Sequence, residues 1–344
     1  MDFDSKCMRL IGTAAVSIVG YHIVAKLIPW LYLNIIGPKC LGPKINIRQM
    51  GSWAVVTGAT DGIGKAYAKI LAKHGLNIVL ISRTLTKLED VAKEIRKYLK
   101  IYLNLPSAII PNVNSSVGEA FSVETKIIDV DFTHGPEIYD KIKQNIEGLN
   151  IGILVNNVGI SYSYPQLFMD VVTQNPKFMR DIVAANVHSV THMSALLLPQ
   201  MIERKKGVVI NVSSTAATIP QPMLAIYSAT KAFVDKFSAD LQAEYRSSGI
   251  IVQSVQPGFV VTNMSKLRQA SVFAPSPDIF VTSALNTLGF CERTAGYLPH
   301  TLIQVVIRTI SWLFCEQFVG QLIMKYLFKL NQIALRHKAR KQQK

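Results

Sequence analysis

Cysteine is scarce in this chain of 344 residues, and several other common signals are missing. The four cysteines, at positions 7, 40, 291 and 315, are too few and too scattered for a disulfide framework or a metal cluster. There is no internal repeat of the solenoid kind, and no low-complexity segment except a basic C-terminal tail. We therefore expect no disulfide-bonded scaffold, no repeat array and no metal site, and a reducing cytosolic environment.

Acidic residues are also few. Only 17% of the residues are charged, and 37 Lys and Arg outnumber 22 Asp and Glu, which gives a net charge of +15. The basic residues are spread over helix-like segments and the tail, and no nucleic-acid recognition module is visible, so no nucleic-acid partner is expected. The terminal HKARKQQK instead predicts attraction to anionic lipid headgroups or to an acidic substrate such as an acyl-CoA.

Six short apolar runs, rich in Val and Ile, alternate with amphipathic segments along the chain. Such runs are typical of parallel strands that are buried on both faces. The pattern predicts an α/β fold, a single Rossmann-like domain with a doubly wound parallel sheet, and a seventh strand either near Phe318 or absent. The six runs are 53–57, 77–82, 125–130, 151–156, 207–213 and 250–256.

A glycine-rich turn follows the first of these runs. Its sequence is Gly58-Ala-Thr-Asp-Gly62-Ile-Gly64. Glycines at this place let the backbone turn sharply and approach a pyrophosphate, which then lies at the N-terminal end of the helix that begins near Gly62. By itself the motif is weak evidence, because three glycines after a strand also suit a simple tight turn.

The end of the second strand indicates which dinucleotide is bound. The run Asn77–Ile81 is followed by Ser82-Arg83, where an NAD site is expected to carry a carboxylate. An arginine about twenty residues beyond the glycine turn suits a ribose 2′-phosphate, so the sequence favours NADP(H) over NAD(H). Taken alone, Arg83 is equally consistent with a solvated surface cation.

A phenol and an ammonium group lie one helical turn apart in Tyr227-Ser-Ala-Thr-Lys231. Side chains at this spacing share a helix face, so we expect Lys231 to lower the pKa of Tyr227 from about 10 toward working pH. Ser214, just after the run Val208–Val212, is placed to hold a substrate oxygen while negative charge develops on it. The trio predicts a site that reduces a carbonyl group, with Tyr227 as the proton donor.

These motifs together resemble the short-chain dehydrogenase/reductase superfamily, in order and in spacing. The likeness runs from about Trp53 to beyond Tyr297, and it is most similar to the subgroup of 17β-hydroxysteroid dehydrogenases and very-long-chain 3-oxoacyl-CoA reductases. The passages that carry it are WAVVTGATDGIGKAYA, LAKHGLNIVLISR, IGILVNNVG, YSATKAFVDKFSADLQAEYRSSGI and VQSVQPGFVVTNM.

The resemblance implies roles for individual residues. Asn186 completes a catalytic tetrad with Ser214, Tyr227 and Lys231, and it supports a proton-relay water. Asn156 stabilises the central sheet. Asp131 contacts the adenine, and Asp129 is the competing choice for that role. Alone, each side chain also suits a structural role, such as a cap or a turn. The predicted cofactor-binding residues are Gly58, Thr60, Asp61, Gly62, Ile63, Gly64, Ser82, Arg83, Asp131, Asn157, Tyr227, Lys231, Pro257, Val260 and Thr262.

Two functions remain open at this stage. The first is NADPH-dependent reduction of a lipid ketone, either a 3-oxoacyl-CoA or a steroid 17-ketone, in an apolar pocket formed by residues 259–298. The second is a catalytically weak, membrane-bound NADP(H)-binding scaffold, as in a hydroxysteroid dehydrogenase-like branch whose catalytic tyrosine is phenylalanine. Tyr227 is present here, which favours an active enzyme. The resemblance also implies a homodimer that pairs through the helices around 176–205 and 227–248.

Both ends of the chain predict contact with a membrane. Residues 1–50 are interpreted as an anchor and a basic linker, because Leu10–Ala25 and Leu27–Ile36 together exceed the roughly twenty residues that cross a bilayer, although Pro29 also permits a re-entrant bend. Lys26, Lys39, Lys44 and Arg48 after the segment outweigh Lys6 and Arg9 before it, which orients the enzyme domain to the cytosol. The endoplasmic reticulum membrane is the expected location.

The remaining chain is divided into an enzyme domain and a tail. Residues 51–300 are predicted to form the NADP-binding domain, with 101–122 as an inserted surface loop that has two prolines and no sustained period. Residues 301–344 are predicted to form an amphipathic helix lying on the membrane and a basic tail. A helix that caps the domain or forms a dimer surface is the alternative.

Overall fold

The fold is built on a seven-stranded, fully parallel sheet. The computed structural model describes residues 2–42, 44–103 and 123–342, so residues 104–122 of the predicted insertion lie outside the described residues. The strand order across the sheet is β3-β2-β1-β4-β5-β6-β7. The strands are β1 (Trp53–Thr57), β2 (Asn77–Ser82), β3 (Thr125–Asp129), β4 (Ile151–Asn156), β5 (Gly207–Val212), β6 (Ile250–Val255) and β7 (Arg293–Thr294).

Helices cover both faces of this sheet. Alternate strand residues point to opposite faces, so Val56 belongs to one apolar cluster and its neighbour Val55 to the other. The helices are α1 (Asp2–Leu31), α2 (Gly62–Lys73), α3 (Leu85–Leu103), α4 (Glu137–Ile146), α5 (Phe168–Gln174), α6 (Pro176–Val183), α7 (Ser189–Glu203), α8 (Ala225–Tyr245), α9 (Pro277–Leu285), α10 (Leu298–Phe314) and α11 (Glu316–Gln342). Helices α2, α3 and α9 pack on the first face, and α4, α7 and α8 on the second.

The six apolar runs predicted as strands are strands, and the predicted doubly wound α/β fold is confirmed. The prediction of a seventh strand near Phe318 is wrong, because Phe318 lies in α11 and β7 is Arg293–Thr294. A two-residue strand has no periodicity to detect. It is fixed by tertiary contacts, since Arg293 pairs with Asp235 of α8 and the backbone of β7 pairs with β6.

The strand order places a topological switch at the centre of the sheet. β1 is followed in space by β2 and β3 on one side, whereas the chain returns to β4 on the other side. The loops that leave the carboxyl ends of β1 and β4 therefore run in opposite directions. Ligands of open α/β sheets bind in the crevice at this point.

The C-terminal segment differs from the single helix predicted within residues 301–344. It forms two helices, α10 and α11, which are separated at Cys315 by a positive φ of 76°. α10 buries His300 and Gln304 against the domain, and Asn331 of α11 donates to the carbonyl of Pro165. Apolar periodicity continues across Cys315 in the sequence, so only the backbone angle reveals the break.

The N-terminal segment is helical from Asp2 to Leu31 and continues as a π-helical stretch, Tyr32–Leu41. This stretch contacts the domain, because Tyr32 packs edge-on against Phe290 and the Cys291 thiol donates to the carbonyl of Leu33. Most large apolar side chains of α1 whose exposure is described are exposed.

Among the described residues, the helical stretch that is long and apolar enough to cross a membrane is Pro176–Glu203, which runs from α6 through the π-helical turn to α7. More than half of it is buried in the fold, as in the core helix of a soluble protein. The N-terminal segment contributes two shorter apolar helices, Cys7–Ile18 and Leu27–Pro38. The N-terminal anchor stays a prediction, and the exposed apolar side chains of α1 are consistent with it.

Candidate active site

The glycine turn forms the floor of a cleft at the carboxyl end of β1. Gly58 and Gly62 have positive φ angles of 64° and 53°, which a residue with a Cβ rarely adopts. A Cβ on Gly64 would overlap the carbonyl of Gly58, so the first turn of α2 packs directly on the loop. Backbone amides of the loop and the start of α2 consequently meet at one place, as an anion site requires.

Asn157, just beyond the end of β4, holds this turn in shape. Its side-chain amide donates to the carbonyls of Thr57 and Gly58, at 3.1 and 3.2 Å. The hydroxyl of Thr57 in turn accepts the backbone N–H groups of Asn157 and Val158, at 3.0 and 3.1 Å. Asn157 is thus tied to the loop backbone, while Asn156 lies behind it in the sheet and donates to Asn211.

The far end of the cleft carries the residues predicted to select the cofactor. Arg83 and Asp131 both line it, and the hydroxyls of Thr60 and Ser82 lie 3.1 Å apart beside them. Burial opposes ionisation of Asp131, but hydrogen bonds from Thr133 and the charge of Arg83 lower the pKa of this carboxyl overall. The side chain at the end of β2 is cationic, as a ribose 2′-phosphate requires.

Asp129, the competing choice for the adenine, points elsewhere. Its half-exposed carboxylate pairs with Lys141 of α4 at 2.9 Å, and this bond holds its pKa low against a smaller effect of burial. Of these two carboxylates, Asp131 is therefore the one that lines the cleft.

The cleft has a volume of about 320 Å³ and gathers most of the predicted cofactor residues. Gly64 instead packs behind the glycine turn, and Val260, in the segment that follows β6, is buried. The predicted residues that line the cleft are Gly58, Thr60, Asp61, Gly62, Ile63, Ser82, Arg83, Asp131, Asn157, Tyr227, Lys231, Pro257 and Thr262.

Tyr227 and Lys231 lie on one face of the first turns of α8. The Lys231 ammonium is 5.9 Å from the centre of the Tyr227 ring, and it donates to the carbonyl of Val212 at 2.8 Å. Ser214 follows β5 and accepts the N–H of Ala216, and its hydroxyl lies near enough to the Tyr227 phenol to act on the pKa of that phenol. The end of β5 and the start of α8 thus bring the three side chains together.

The pKa values differ from the expectation drawn from sequence. Burial raises the pKa of Tyr227, and the Ser214 hydrogen bond lowers it by less. Burial also lowers the pKa of Lys231 to about 8. The prediction that Lys231 brings the phenol pKa down is therefore wrong for this structure, because desolvation disfavours both charged forms. A phenol held in its protonated form is suited to donate a proton.

Asn186 lies beside Lys231, on a π-helical turn, Ala184–His188, between α6 and α7. Its side-chain oxygen accepts the N–H of Ile160 at 2.8 Å, and its amide donates to the Ile160 carbonyl and the Thr230 hydroxyl, both at 3.0 Å. A Cβ on Gly159 would lie 3.1 Å from the Asn186 oxygen and 3.4 Å from the Lys231 nitrogen. The π turn thus directs Asn186 to the back of the site.

Sequence reasoning missed three residues that shape the site. Thr57 fixes the glycine turn, the Tyr162 hydroxyl accepts the N–H of Ile226 next to Tyr227, and His300 binds the segment after β6. Only Thr57 had a signal, namely a hydroxyl residue directly before a glycine turn. Tyr162 and His300 lie in no motif, because their partners are distant in sequence.

Comparison with known proteins identifies the class of protein to which this fold and cleft belong. Residues 52–105 and 106–272 match the model of the short chain dehydrogenase family, and the chain belongs to that family. It is therefore an oxidoreductase, and the predicted superfamily, subgroup resemblance and fold are confirmed.

Curated relatives are similar over most of the chain. It is 46% identical to a very-long-chain 3-oxoacyl-CoA reductase of Anas platyrhynchos, over 86% of this chain and 83% of the relative. It is 47% identical to the very-long-chain 3-oxoacyl-CoA reductase of Homo sapiens, over 78% of each chain.

Solved structures share the fold. A 7beta-hydroxysteroid dehydrogenase matches with a TM-score of 0.66 over 81% of this chain and 99% of its own, and at 22% identity it is a likeness of fold alone. A short-chain dehydrogenase from Sphingobium yanoikuyae, solved in complex with NADPH, matches with a TM-score of 0.55 and 26% identity over 68% of this chain and 82% of its own.

Proposed function

We propose that this protein reduces the 3-oxo group of a long-chain 3-oxoacyl-CoA to the 3-hydroxy group, with NADPH as the reductant. The observation that carries the proposal is the Tyr227 phenol, which lies near Ser214 and one helical turn from Lys231, at the inner end of a dinucleotide cleft. The substrate class follows the relatives, which are named very-long-chain 3-oxoacyl-CoA reductases.

NADP(H) fits the residues of the cleft. The glycine turn and the start of α2 would hold the pyrophosphate, because three glycines leave room for the backbone to approach it. Arg83 would bind the ribose 2′-phosphate and Asp131 the adenine, while Pro257 and Thr262, which line the cleft, would flank the nicotinamide. When bound, NADPH supplies the hydride.

Tyr227 donates the proton in this scheme. The substrate carbonyl oxygen accepts hydrogen bonds from the Tyr227 and Ser214 hydroxyls, which stabilise the negative charge as it develops. Tyr227 then passes its proton to that oxygen and is left as a phenolate. The Lys231 ammonium stabilises the phenolate, and Asn186 supports the relay that returns a proton from solvent. The raised pKa of Tyr227 favours this direction, because the phenol is protonated before the reaction.

Membrane lipids are the second proposed partner, and the endoplasmic reticulum membrane the proposed location, with the enzyme domain in the cytosol. Support comes from the exposed apolar side chains of α1 and of the α10–α11 pair. The basic residues that follow α1 and those of the C-terminal tail suit an anionic lipid surface.

A homodimer is proposed through the outer faces of α7 and α8. Support comes from Phe233, which is exposed on α8 and stacks on Phe237 with ring centres 5.9 Å apart. Replacing Phe233 with Asp should shift the sedimentation of the purified protein toward the monomer. An unchanged dimer would place the interface elsewhere.

A substrate panel tests the proposed reaction. Purified protein with NADPH is offered 3-oxoacyl-CoAs of increasing chain length and, separately, steroid 17-ketones, and NADPH oxidation is followed by absorbance. We expect turnover of the long 3-oxoacyl-CoAs. Turnover of steroids alone would change the substrate class, and NADPH binding without turnover of any ketone would favour the NADP(H)-binding scaffold.

A further inference from the structure

His300 is a buried histidine that no step of the proposed reaction uses. It lies in the first turn of α10 and is only 1% exposed. Its ring packs edge-on against Tyr297, at 5.3 Å between centres, and near Phe280 at 5.9 Å. A polar ring held this firmly in a core must have partners for both nitrogen atoms.

The hydrogen bonds of His300 define one neutral tautomer. Nδ1 accepts the backbone N–H of Gly258 at 3.2 Å. Nε2 lies 3.1 Å from the carbonyls of both Phe259 and Phe273, and since carbonyls only accept, Nε2 carries the hydrogen. Burial lowers the pKa of His300, and the carbonyls of Phe273, Phe259 and Ala295 raise it by less, so the pKa is lowered overall and the neutral ring is favoured.

These partners mark the two ends of one loop. Phe259 and Phe273 flank the stretch that leaves β6 and turns back toward α9, and the N–H of Val261 also donates to Pro275 across its base. Gly258 also packs on His300 at this end of the loop, because a Cβ on Gly258 would lie 3.0 Å from the His300 ring. His300 thus joins the first residues of the loop, Gly258 and Phe259, to its last residue, Phe273.

The loop closed in this way reaches the cofactor cleft. Pro257, Thr262 and Met264 line the cleft, and the Thr262 side chain lies where a Cβ on Gly62 would be. On its other side, Lys266 donates to the carbonyl of Ser163 in the loop after β4. A displacement of the two loop ends that His300 joins would therefore also move Thr262 and Met264, which line the cleft beside the glycine turn.

We propose that His300 is a positioning residue, which holds the base of the 259–273 loop so that Pro257–Thr262 is preformed for NADPH. The inference rests on the proposed function for the identity of the cofactor. It gives α10 a role in the cleft, although α10 contributes no side chain to the lining.

Three substitutions of His300 test the proposal. His300→Phe keeps the flat ring and loses every hydrogen bond, His300→Gln keeps an acceptor and a donor, and His300→Asn keeps only the group nearest Gly258. The dissociation constant of NADPH is measured by fluorescence titration without substrate. We expect His300→Phe to weaken binding about tenfold, His300→Asn by less, and His300→Gln to restore most of it.

A second measurement needs no cofactor. Trypsin cleavage after Lys266 or Arg268 reports whether the loop opens, and it should be faster in His300→Phe than in wild type. Thr301→Val is the matched control, because the Thr301 hydroxyl donates to the carbonyl of Tyr297, the residue directly before α10, and not to the loop. This variant should keep wild-type NADPH affinity and wild-type cleavage of the loop.

The outcomes separate this proposal from the reaction itself. If His300→Phe does not fold, NADPH affinity is still compared between His300→Asn, which keeps one hydrogen-bonding group, and His300→Gln, which keeps an acceptor and a donor. Wild-type NADPH affinity in folded His300→Asn and His300→Phe would overturn the positioning role and leave the proposed function intact. A wild-type protein that does not bind NADPH would overturn both. Binding of NADPH without ketone turnover would overturn only the reaction.

Discussion

The cofactor cleft and the C-terminal helix pair use apolar residues in opposite ways. Around the cleft, β1, β4 and β5 are buried throughout, and polar side chains such as Thr57 and Asn157 are satisfied by backbone partners. In α10 and α11, Trp312 is 83% exposed and Phe314 62%. The apolar side chains around the cleft are buried against each other, whereas those of α10 and α11 form an exposed surface that suits a lipid environment.

The contrast teaches that apolar content alone does not identify a core. Both regions are rich in Leu, Ile, Val and aromatic residues. Strands with two covered faces need short apolar runs, whereas α10 and α11 bury only one strip each and leave the rest open. Substitutions in the cleft should therefore act on chemistry and cofactor binding, and those in the helix pair on partition to membranes.

The largest effect is expected at Tyr227. Replacing Tyr227 with Phe removes the proton donor, so kcat/KM for ketone reduction should fall about 10²- to 10⁴-fold while NADPH affinity is kept. Steady-state rates and NADPH titration measure the two quantities. Tyr245→Phe is the matched control, because Tyr245 lies at the opposite end of the same helix, α8, from Tyr227. Substantial turnover by the Tyr227 variant would assign the proton to another group.

Arg83 should have the next largest effect, on cofactor choice. Arg83→Ala should weaken NADPH binding by about 10- to 100-fold, since a charge-assisted contact to the 2′-phosphate is lost. NADH binding should change little, so the ratio of the two dissociation constants is the readout. Lys87→Ala, which removes an exposed cation from the next helix, should leave that ratio alone. An equal loss of affinity for NADPH and NADH would mean that Arg83 does not bind the 2′-phosphate.

A pH profile sharpens the role of Lys231. Its pKa is lowered to about 8, so the ammonium that stabilises the Tyr227 phenolate is present below that pH and lost as pH rises through it. The value of kcat/KM for reduction should be level below pH 8 and fall about tenfold for each pH unit above it. Lys231→Arg, always charged, should be slower but should lack this alkaline fall. A wild-type profile that stays level to pH 10 would contradict the assignment.

The smallest effect is expected at the exposed corner between α10 and α11. Trp312→Ala should lower partition into vesicles of anionic lipid by less than about tenfold, since only part of the ring would enter the bilayer. The change should be clearest in a chain without residues 2–31, because those residues are the other segment that we propose to bind the membrane. Cosedimentation measures it, and His192→Ala, on α7, serves as a surface control. If both variants partition equally into the vesicles, Trp312 does not contact the membrane.

Much of the cleft was predictable from the chain alone. The glycine turn, Asn157, Ser214 and the pair Tyr227 and Lys231 are local motifs whose spacing fits one chemistry, and the fold brings them together as expected. The pKa of Tyr227 was not predictable, because it depends on how much water the folded site excludes. The same holds for the choice of Asp131 over Asp129, which is decided by the bond of Asp129 to Lys141.

The sequence by itself determined the six buried strands, the alternation with helices and the candidate reacting side chains, since each follows from patterns that are local along the chain. Only the tertiary structure decided the two-residue β7, the break at Cys315 and the contacts of His300. Those features depend on partners many residues away, or on a single backbone angle. Local periodicity carries no information about either.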